Sequence, residues 1–220
     1  MQLQVAPSLL SADFLHLDKD VEMLNAHADI IHLDIMDGSF VPNISFGFPV
    51  IGAVARKAAI PMDAHFMVTN PGCWVENCAR LGVQMMSFHL EAAGRNTRSI
   101  LRDIRAHGMK AGLAINPDVP VEKLYQYIGS VDYFLIMSVF AGFGGQKFIY
   151  ESLDRVWSLK RRLQARKDPA LIEVDGGVNA GNAAALAEAG ADILVAGSAV
   201  FNAADPSVVI SQLRNPKQTH

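Results

Sequence analysis

The sequence predicts an α/β protein, a closed (β/α)8 barrel of the TIM type, on three observations. Short apolar runs alternate with longer amphipathic ones eight times along 220 residues. Regular alternation of this kind implies parallel strands joined by right-handed helical crossovers. Eight units in this length leave only tight loops, which suits a closed barrel, with an open doubly wound sheet as the second choice. The unit boundaries also carry their own signals. "GVQMMSF" and "GADILVAG" begin with a Gly just after a helix-like run, where a left-handed cap is wanted, and "NPGCWVENC" and "NPDVPVEKL" put Pro near a helix start.

Taken in order, the strands are expected near Val5–Ser8, Ile30–Asp34, Met62–Met67, Gln84–His89, Lys110–Ile115, Tyr133–Met137, Leu171–Val174 and Ile193–Ala196. Each is short and largely apolar, as a strand covered on both faces must be. The helix-like segments between them fall near Asp18–Asn25, Val50–Lys57, Pro71–Arg80, Thr97–His107, Val121–Ile128, Glu151–Arg166, Asn182–Glu188 and Pro206–Leu213. No linker or low-complexity segment interrupts the series. Residues 1–213 therefore read as one domain, and "RNPKQTH", residues 214–220, as a polar tail.

Composition supports this reading. A chain that is 50% hydrophobic and 19% charged can bury roughly 70–75% of the surface its unfolded form exposes, without a disulfide staple. Cys73 and Cys78 lie five apart in a helix-like run and project to different sides, as packing residues do. A net charge of −3 with no basic run argues against a nucleic-acid partner. "MQLQVAPSLL" lacks the charged and apolar regions of a signal peptide, and no apolar run reaches the roughly 18–20 residues of a membrane span. The expectation is a cytoplasmic protein with no membrane partner.

Function is carried by polar residues at strand ends, where barrels of this type place their chemistry. In "IIHLDIMDGSF", His32 and Asp34 stand two residues apart inside an apolar run, so they share one face of a strand. Ser8 ends the first strand, His65 lies in the third, and Asp175 ends the seventh. Two histidines and two aspartates converging on one point suit a divalent cation: zinc, iron(II), manganese or cobalt. Such a cation compensates the cost of burying two carboxylates together.

Glycines supply a second element: Gly142, Gly144 and Gly145 in "GFGG" around Phe143, Gly176 and Gly177 in "DGG", and Gly197 beside Ser198. Backbone N–H groups there can wrap a phosphate, at a position barrels often use for one. No GxxxxGK[ST] motif implies a nucleotide. A metal, two carboxylates and a phosphate cradle suggest a small phosphorylated ketose. A cation holding both oxygens of a hydroxyketone steadies the enolate, while one acid removes a proton and the other returns one from the far side. The outcome is epimerisation. Met36 stands where a related decarboxylase needs a lysine, and neither Lys110 nor Lys147 is placed for a Schiff base.

At these residues the chain resembles the ribulose-phosphate 3-epimerase family. The likeness runs from "VAPSLLSADF" through "HLDIMDGSFVPN", "DAHFMVTNP", "NPDVPVE", "MSVFAGFGGQKFI" and "EVDGGV" to "AGADILVAGSAVF". It implies a ribulose-phosphate-binding type of barrel that interconverts D-ribulose 5-phosphate and D-xylulose 5-phosphate with one divalent metal. His32, Asp34, His65 and Asp175 would then be the ligands, with Asp34 and Asp175 also the acid–base pair. Ser8 and His65 would touch substrate oxygens, and the Gly142–Gly145, Gly176, Gly177, Gly197 and Ser198 backbones would hold the phosphate. Met36, Met67 and Met137 would crowd the sugar. Family members are often dimers or hexamers, so a homo-oligomer is implied. Phe140-Ala141 departs from the polar-Pro pair usual before "GFGGQ", and Ser39 stands where a His is frequent. An epimerase for a hexulose phosphate, such as D-allulose 6-phosphate, and a non-catalytic sugar-phosphate sensor are the alternatives.

Overall fold

The computed structural model describes residues 3–217. Its strands are β1 Gln4–Pro7, β2 Ile31–Met36, β3 Met62–Met67, β4 Met85–His89, β5 Lys110–Ile115, β6 Tyr133–Met137, β7 Leu171–Asp175 and β8 Ile193–Ala196. The helices are α1 Leu17–His27, α2 Phe48–Ala55, α3 Val75–Arg80, α4 Leu90–Ala93, α5 Thr97–Ala106, α6 Ser152–Arg166, α7 Ala183–Ala189, α8 Ser198–Phe201 and α9 Pro206–Arg214. All strand pairs are parallel, in the order β1-β8-β7-β6-β5-β4-β3-β2. The ring closes between β1 and β2 through a single bridge, Ser8 to His32.

Strand parity sorts the side chains. Leu33, Ile35, Ala64, Phe66, Phe134, Ile136, Ile172 and Val174 belong to the large apolar layer between sheet and helices. Their alternating neighbours therefore point into the barrel: His32, Asp34 and Met36 on β2, Asp63, His65 and Met67 on β3, and Glu173 and Asp175 on β7. A small apolar cluster that includes Ala6, Ile30, Met85, Tyr133 and Ile193 plugs the end where the strands begin. Polar groups thus occupy the middle and upper layers, above an apolar floor.

The differences from sequence expectation are local. β2 continues two residues past Asp34 because Ile35 and Met36 keep partners in Phe66 and Met67. Pro71–Trp74 is a turn of 3-10 helix ahead of α3, and Val121–Tyr127 is 3-10 throughout. α4 and α8 have four residues each, too few to show a helical period. α9 includes Arg214, which pairs with Asp29 at 3.0 Å, so the helix runs one residue beyond the expected boundary at 213. Residues 218–220 of the expected tail lie outside the described residues.

Gly112 on β5 has a packing reason to be Gly. A Cβ there would sit 2.3 Å from Cζ of Tyr133 and 2.7 Å from Cβ of Ser87. Tyr133 is fully buried and its hydroxyl is tied to Asp63, so the ring has nowhere to go. Gly112→Ala is expected to destabilise the fold by about 1–3 kcal/mol, the usual range for overpacking. A urea midpoint equal to wild type would show that the ring moves freely.

Candidate active site

β2, β3 and β7 bring His32, Asp34, His65 and Asp175 together. One ligand-type atom from each lies within 4.8 Å of all the others. His65 Nδ1 is 3.2 Å from Asp34 Oδ1 and 3.6 Å from Asp175 Oδ2, while His32 Nε2 is 3.4 Å from Asp34 Oδ1. The Ser8 hydroxyl donates to Asp34 Oδ2 across the β1–β2 closure. Both histidines and Asp34 are buried, and Asp175 reaches the cleft above with 15% of its side chain exposed.

The layer below settles how His32 is held. Tyr133 donates to Asp63 Oδ1 at 2.5 Å, and His32 Nδ1 lies 2.9 Å from Asp63 Oδ2. Burial opposes protonation of His32, but Asp34, Asp63 and Glu173 hold its imidazole well above the usual range; with Nδ1 turned to Asp63, Nε2 is the nitrogen that offers a lone pair once the second proton leaves. That Nε2 is buried and has no hydrogen-bond partner among the described residues. A buried nitrogen of this kind is costly unless something accepts its lone pair. The donor set of two imidazoles and two carboxylates around it fits a cation such as zinc or iron(II). His32, Asp63 and Glu173 form a second close group, but its Asp63 is already occupied by the tyrosine and the imidazole. Burial and the neighbouring Asp63 push Glu173 up to about 8.

The two cluster aspartates are driven apart. Burial acts to raise Asp34, but His32 and then His65 outweigh it and hold its carboxyl far below the usual range. Asp175 is raised by burial and by the charge of Asp34. Burial opposes protonation of His65, yet Asp175 and Asp34 overcome it and push the imidazole up to about 9. A pair of acids whose environments separate them in this way is the arrangement needed to accept a proton on one side and donate on the other.

A cleft stands over the cluster. Met36, Met67 and Met137 line it beside Asp34 and Asp175, and Ser8 and Ser198 stand on its wall with Gly197. Gly142, Phe143, Gly144 and Gly145 come from the loop after β6, and Gly176 and Gly177 from the loop after β7. Gly176 and Gly177 have φ of +116° and +64°, and a Cβ on either would enter Val139 or the backbone at Phe148. These two glycines let the two loops pack directly together. His32 and His65 are not among the lining residues. His65 is fully buried beneath the acids, with one nitrogen toward them and the other against His89. The sequence resemblance implies His65 both as a ligand and as a substrate contact, and the structure places it beneath the cleft lining, beside both acids.

The loop after β6, which carries Phe140-Ala141 where a polar-Pro pair is expected, is firmly pinned. Gln146 Nε2 donates to the carbonyls of Phe140 and Phe143 at 2.7 and 2.8 Å. Asn43 holds the Gly142 carbonyl at 2.8 Å, and Asn116 Oδ1 accepts from the Ala141 N–H at 3.0 Å. Phe140 is half exposed at the rim. Ser39 is an exposed turn residue whose N–H donates to Asp37 Oδ1.

Asp63, Glu173, His89, Glu91 and Asn116 escaped the sequence reading. A signal for two of them was present. Asp63 precedes His65 by two, and Glu173 precedes Asp175 by two, repeating the His32–Asp34 spacing. Three polar pairs at a period of two mark two stacked polar layers.

The ribulose-phosphate 3 epimerase family model matches residues 4–201, the whole run from β1 to α8. A ribulose-phosphate 3-epimerase of Mycobacterium leprae is 43% identical over 96% of this chain and 93% of its own. The cytoplasmic isoform of ribulose-phosphate 3-epimerase from Oryza sativa subsp. japonica is 41% identical over 96% of this chain and 92% of its own. The crystal structure of a 3-hexulose-6-phosphate synthase superposes with a TM-score of 0.71 over 97% of this chain and 98% of that one, at 20% identity, which speaks for the barrel alone. Because the family match spans every strand that contributes to the His–Asp cluster, and the relatives agree over nearly their full lengths, this chain belongs to the ribulose-phosphate 3-epimerase family.

Proposed function

We propose that the chain epimerises C3 of a ketose phosphate, D-ribulose 5-phosphate to D-xylulose 5-phosphate, through Asp34 and Asp175. The observation that carries this is the pair itself: two carboxylates on separate strands, Asp34 held far down and Asp175 raised, both lining one cleft. Asp34, ionised, takes the proton from C3. The C–H electrons move into the adjoining carbonyl system and leave an enediolate. Asp175, protonated, delivers its proton to C3 from the opposite face, which inverts the carbon. Asp34 is then the protonated partner and Asp175 the ionised one, so the reverse reaction uses the same groups in exchanged roles.

His32, Asp34, His65 and Asp175 would hold one divalent cation; zinc, iron(II), manganese and cobalt all suit the set. Bound there, it supplies positive charge where negative charge develops on the substrate oxygens. Ser8, by donating to Asp34 Oδ2, leaves the other oxygen of that carboxylate toward the cluster. Met36, Met67 and Met137 keep water from the reacting carbon, which strengthens every charge interaction around it. The backbones of Gly142, Gly144, Gly145, Gly176, Gly177, Gly197 and Ser198, with Phe143 between the first two, form the phosphate end of the cleft.

A homo-oligomer, dimer or hexamer, acting in the cytoplasm completes the proposal. A relative named as a cytoplasmic isoform supports the location, and no helix of the described residues is long and apolar enough to cross a membrane. Light scattering on the purified protein tests the oligomer.

The decisive assay mixes the enzyme with ribulose 5-phosphate in deuterated water. Deuterium is expected at C3 of the xylulose 5-phosphate formed. Inversion without exchange would exclude the two-acid route. Faster turnover of allulose 6-phosphate in parallel would reassign the sugar, and binding of either without turnover would mark a sensor.

A further inference from the structure

A second polar chain leads away from His65 to the far side of the cleft. His65 Nε2 and His89 Nε2 are 2.9 Å apart while the ring centroids are 5.0 Å apart and the planes differ by 26°. The rings therefore meet edge to edge along a shared N–H···N bond, and one of the two nitrogens carries the proton. His89 is fully buried on β4, with Phe40 against its ring. Its other nitrogen, Nδ1, lies 3.4 Å from Glu91 Oε1. That same oxygen accepts from the backbone N–H of Asn116 at 2.9 Å and from Asn116 Nδ2 at 3.0 Å.

The direction of the bonds in this chain is read from its outer end, where Asn116 Nδ2 lies 3.4 Å from His89 Nδ1 but has its nearer acceptor, Glu91 Oε1, at 3.0 Å. The Ala141 N–H can only donate, so the Asn116 atom facing it is the carbonyl, and the Asn116 amide nitrogen turns to Glu91. An ionised Glu91 can only accept, which draws the His89 proton to Nδ1. His89 Nε2 is then a lone pair and must accept, so the His65 proton lies on Nε2. His65 Nδ1, aimed at Asp34 and Asp175, is then the nitrogen that offers a lone pair once its proton leaves. With the opposite polarity, His65 would present an N–H at that point and could not bind a cation.

We infer that His89, Glu91 and Asn116 are positioning residues that set the tautomer of His65 for metal binding, and that they tie this setting to the substrate loop through Ala141. The inference rests on the proposed metal site. It gives His65 the counterpart of what Asp63 does for His32, on the opposite side of the cluster. It also makes the loop's anchor and the ligand's orientation one connected unit, so a displaced loop would loosen the cation.

The test measures the affinity of the purified, metal-stripped protein for cobalt(II) by competition with a chromophoric chelator. His89→Phe keeps a ring against Phe40 but removes the acceptor. It is expected to weaken cobalt binding about 10–100-fold, the range seen when an outer hydrogen-bond partner of a ligand is lost. His89→Gln restores a carbonyl acceptor and is expected to recover most of that affinity. Glu91→Leu and Glu91→Gln repeat the contrast at a site whose side chain is a quarter exposed, with the urea midpoint of each variant measured alongside. Wild-type affinity in His89→Phe, or equal losses in the Phe and Gln variants at both positions, would overturn the inference. A wild-type protein that takes up no cobalt would instead overturn the metal site itself.

Discussion

Asp175→Asn is expected to lower turnover by about 10³-fold while leaving the fold and its urea midpoint near wild type. The amide has the same shape but neither accepts nor delivers a proton, and removing one positioned acid or base typically costs about 10²–10⁴-fold. A 10³-fold loss corresponds to about 4 kcal/mol of barrier. The fold should tolerate the change because Asp175 is at the cleft edge, and its nearest charged partner, His65 Nδ1, is 3.6 Å away. Single-turnover kinetics and circular dichroism on the same sample check both halves. Near-wild-type turnover would remove Asp175 from the proton traffic. Asp34 is the less informative residue to mutate, since it also accepts the Ser8 hydroxyl and faces both histidines.

Stripping divalent metal with a chelator should abolish epimerisation, and adding zinc, iron(II), manganese or cobalt should restore it. Re-binding should depend on pH in a defined direction. In the metal-free protein, Asp175 and Asp34 raise His65 from 6.5 to about 9 against the effect of burial. The stability that this proton confers is fully present below about pH 6.5 and is lost as pH rises through about 9. A cation takes the proton's place, so its affinity moves the other way. If one proton is displaced, affinity tightens about tenfold per pH unit between pH 7 and 9. A flat profile over that range would mean His65 is already unprotonated. Activity that survives complete metal removal would take the cation out of the reaction.

Most of the barrel was legible because fully covered strands read as apolar runs and barrel crossovers as amphipathic ones. His32 and Asp34 stood out because they break such a run, and Asp175 because two glycines follow it. Asp63, Glu173 and His89 did not stand out. Asp63 and Glu173 repeat the spacing of two seen at His32 and Asp34, but the meaning of each of the three depends on which strand lies beside it. The pairing of His32 with Asp63 across β2 and β3 exists only once register is known. The bond between His65 and His89 likewise joins neighbouring strands, and nothing in either segment alone points to it. Val121–Tyr127 has an amphipathic pattern yet winds as 3-10 helix, with Pro120 directly before it and extended backbone at Ile128. Arg155 from α6 fixes the approach to this segment by donating to the carbonyls of Asn116 and Val119.

β1 leaves the ribosome long before β8 is made. Gln4–Pro7 pairs with Ile193–Ala196, almost the whole chain away, and at about 5–20 residues per second it waits roughly 10–40 s for that partner. Through this interval a strand edge stays open, the state in which parallel sheets are most exposed to mispairing. Pro7 blunts it, since it offers no N–H to a wrong partner. Asp175 arrives only with β7, and Gly197 and Ser198 only after β8. A nascent chain that has not yet reached β8 therefore lacks part of the proposed site, and under that proposal capture of metal and sugar phosphate would wait until β8 is made.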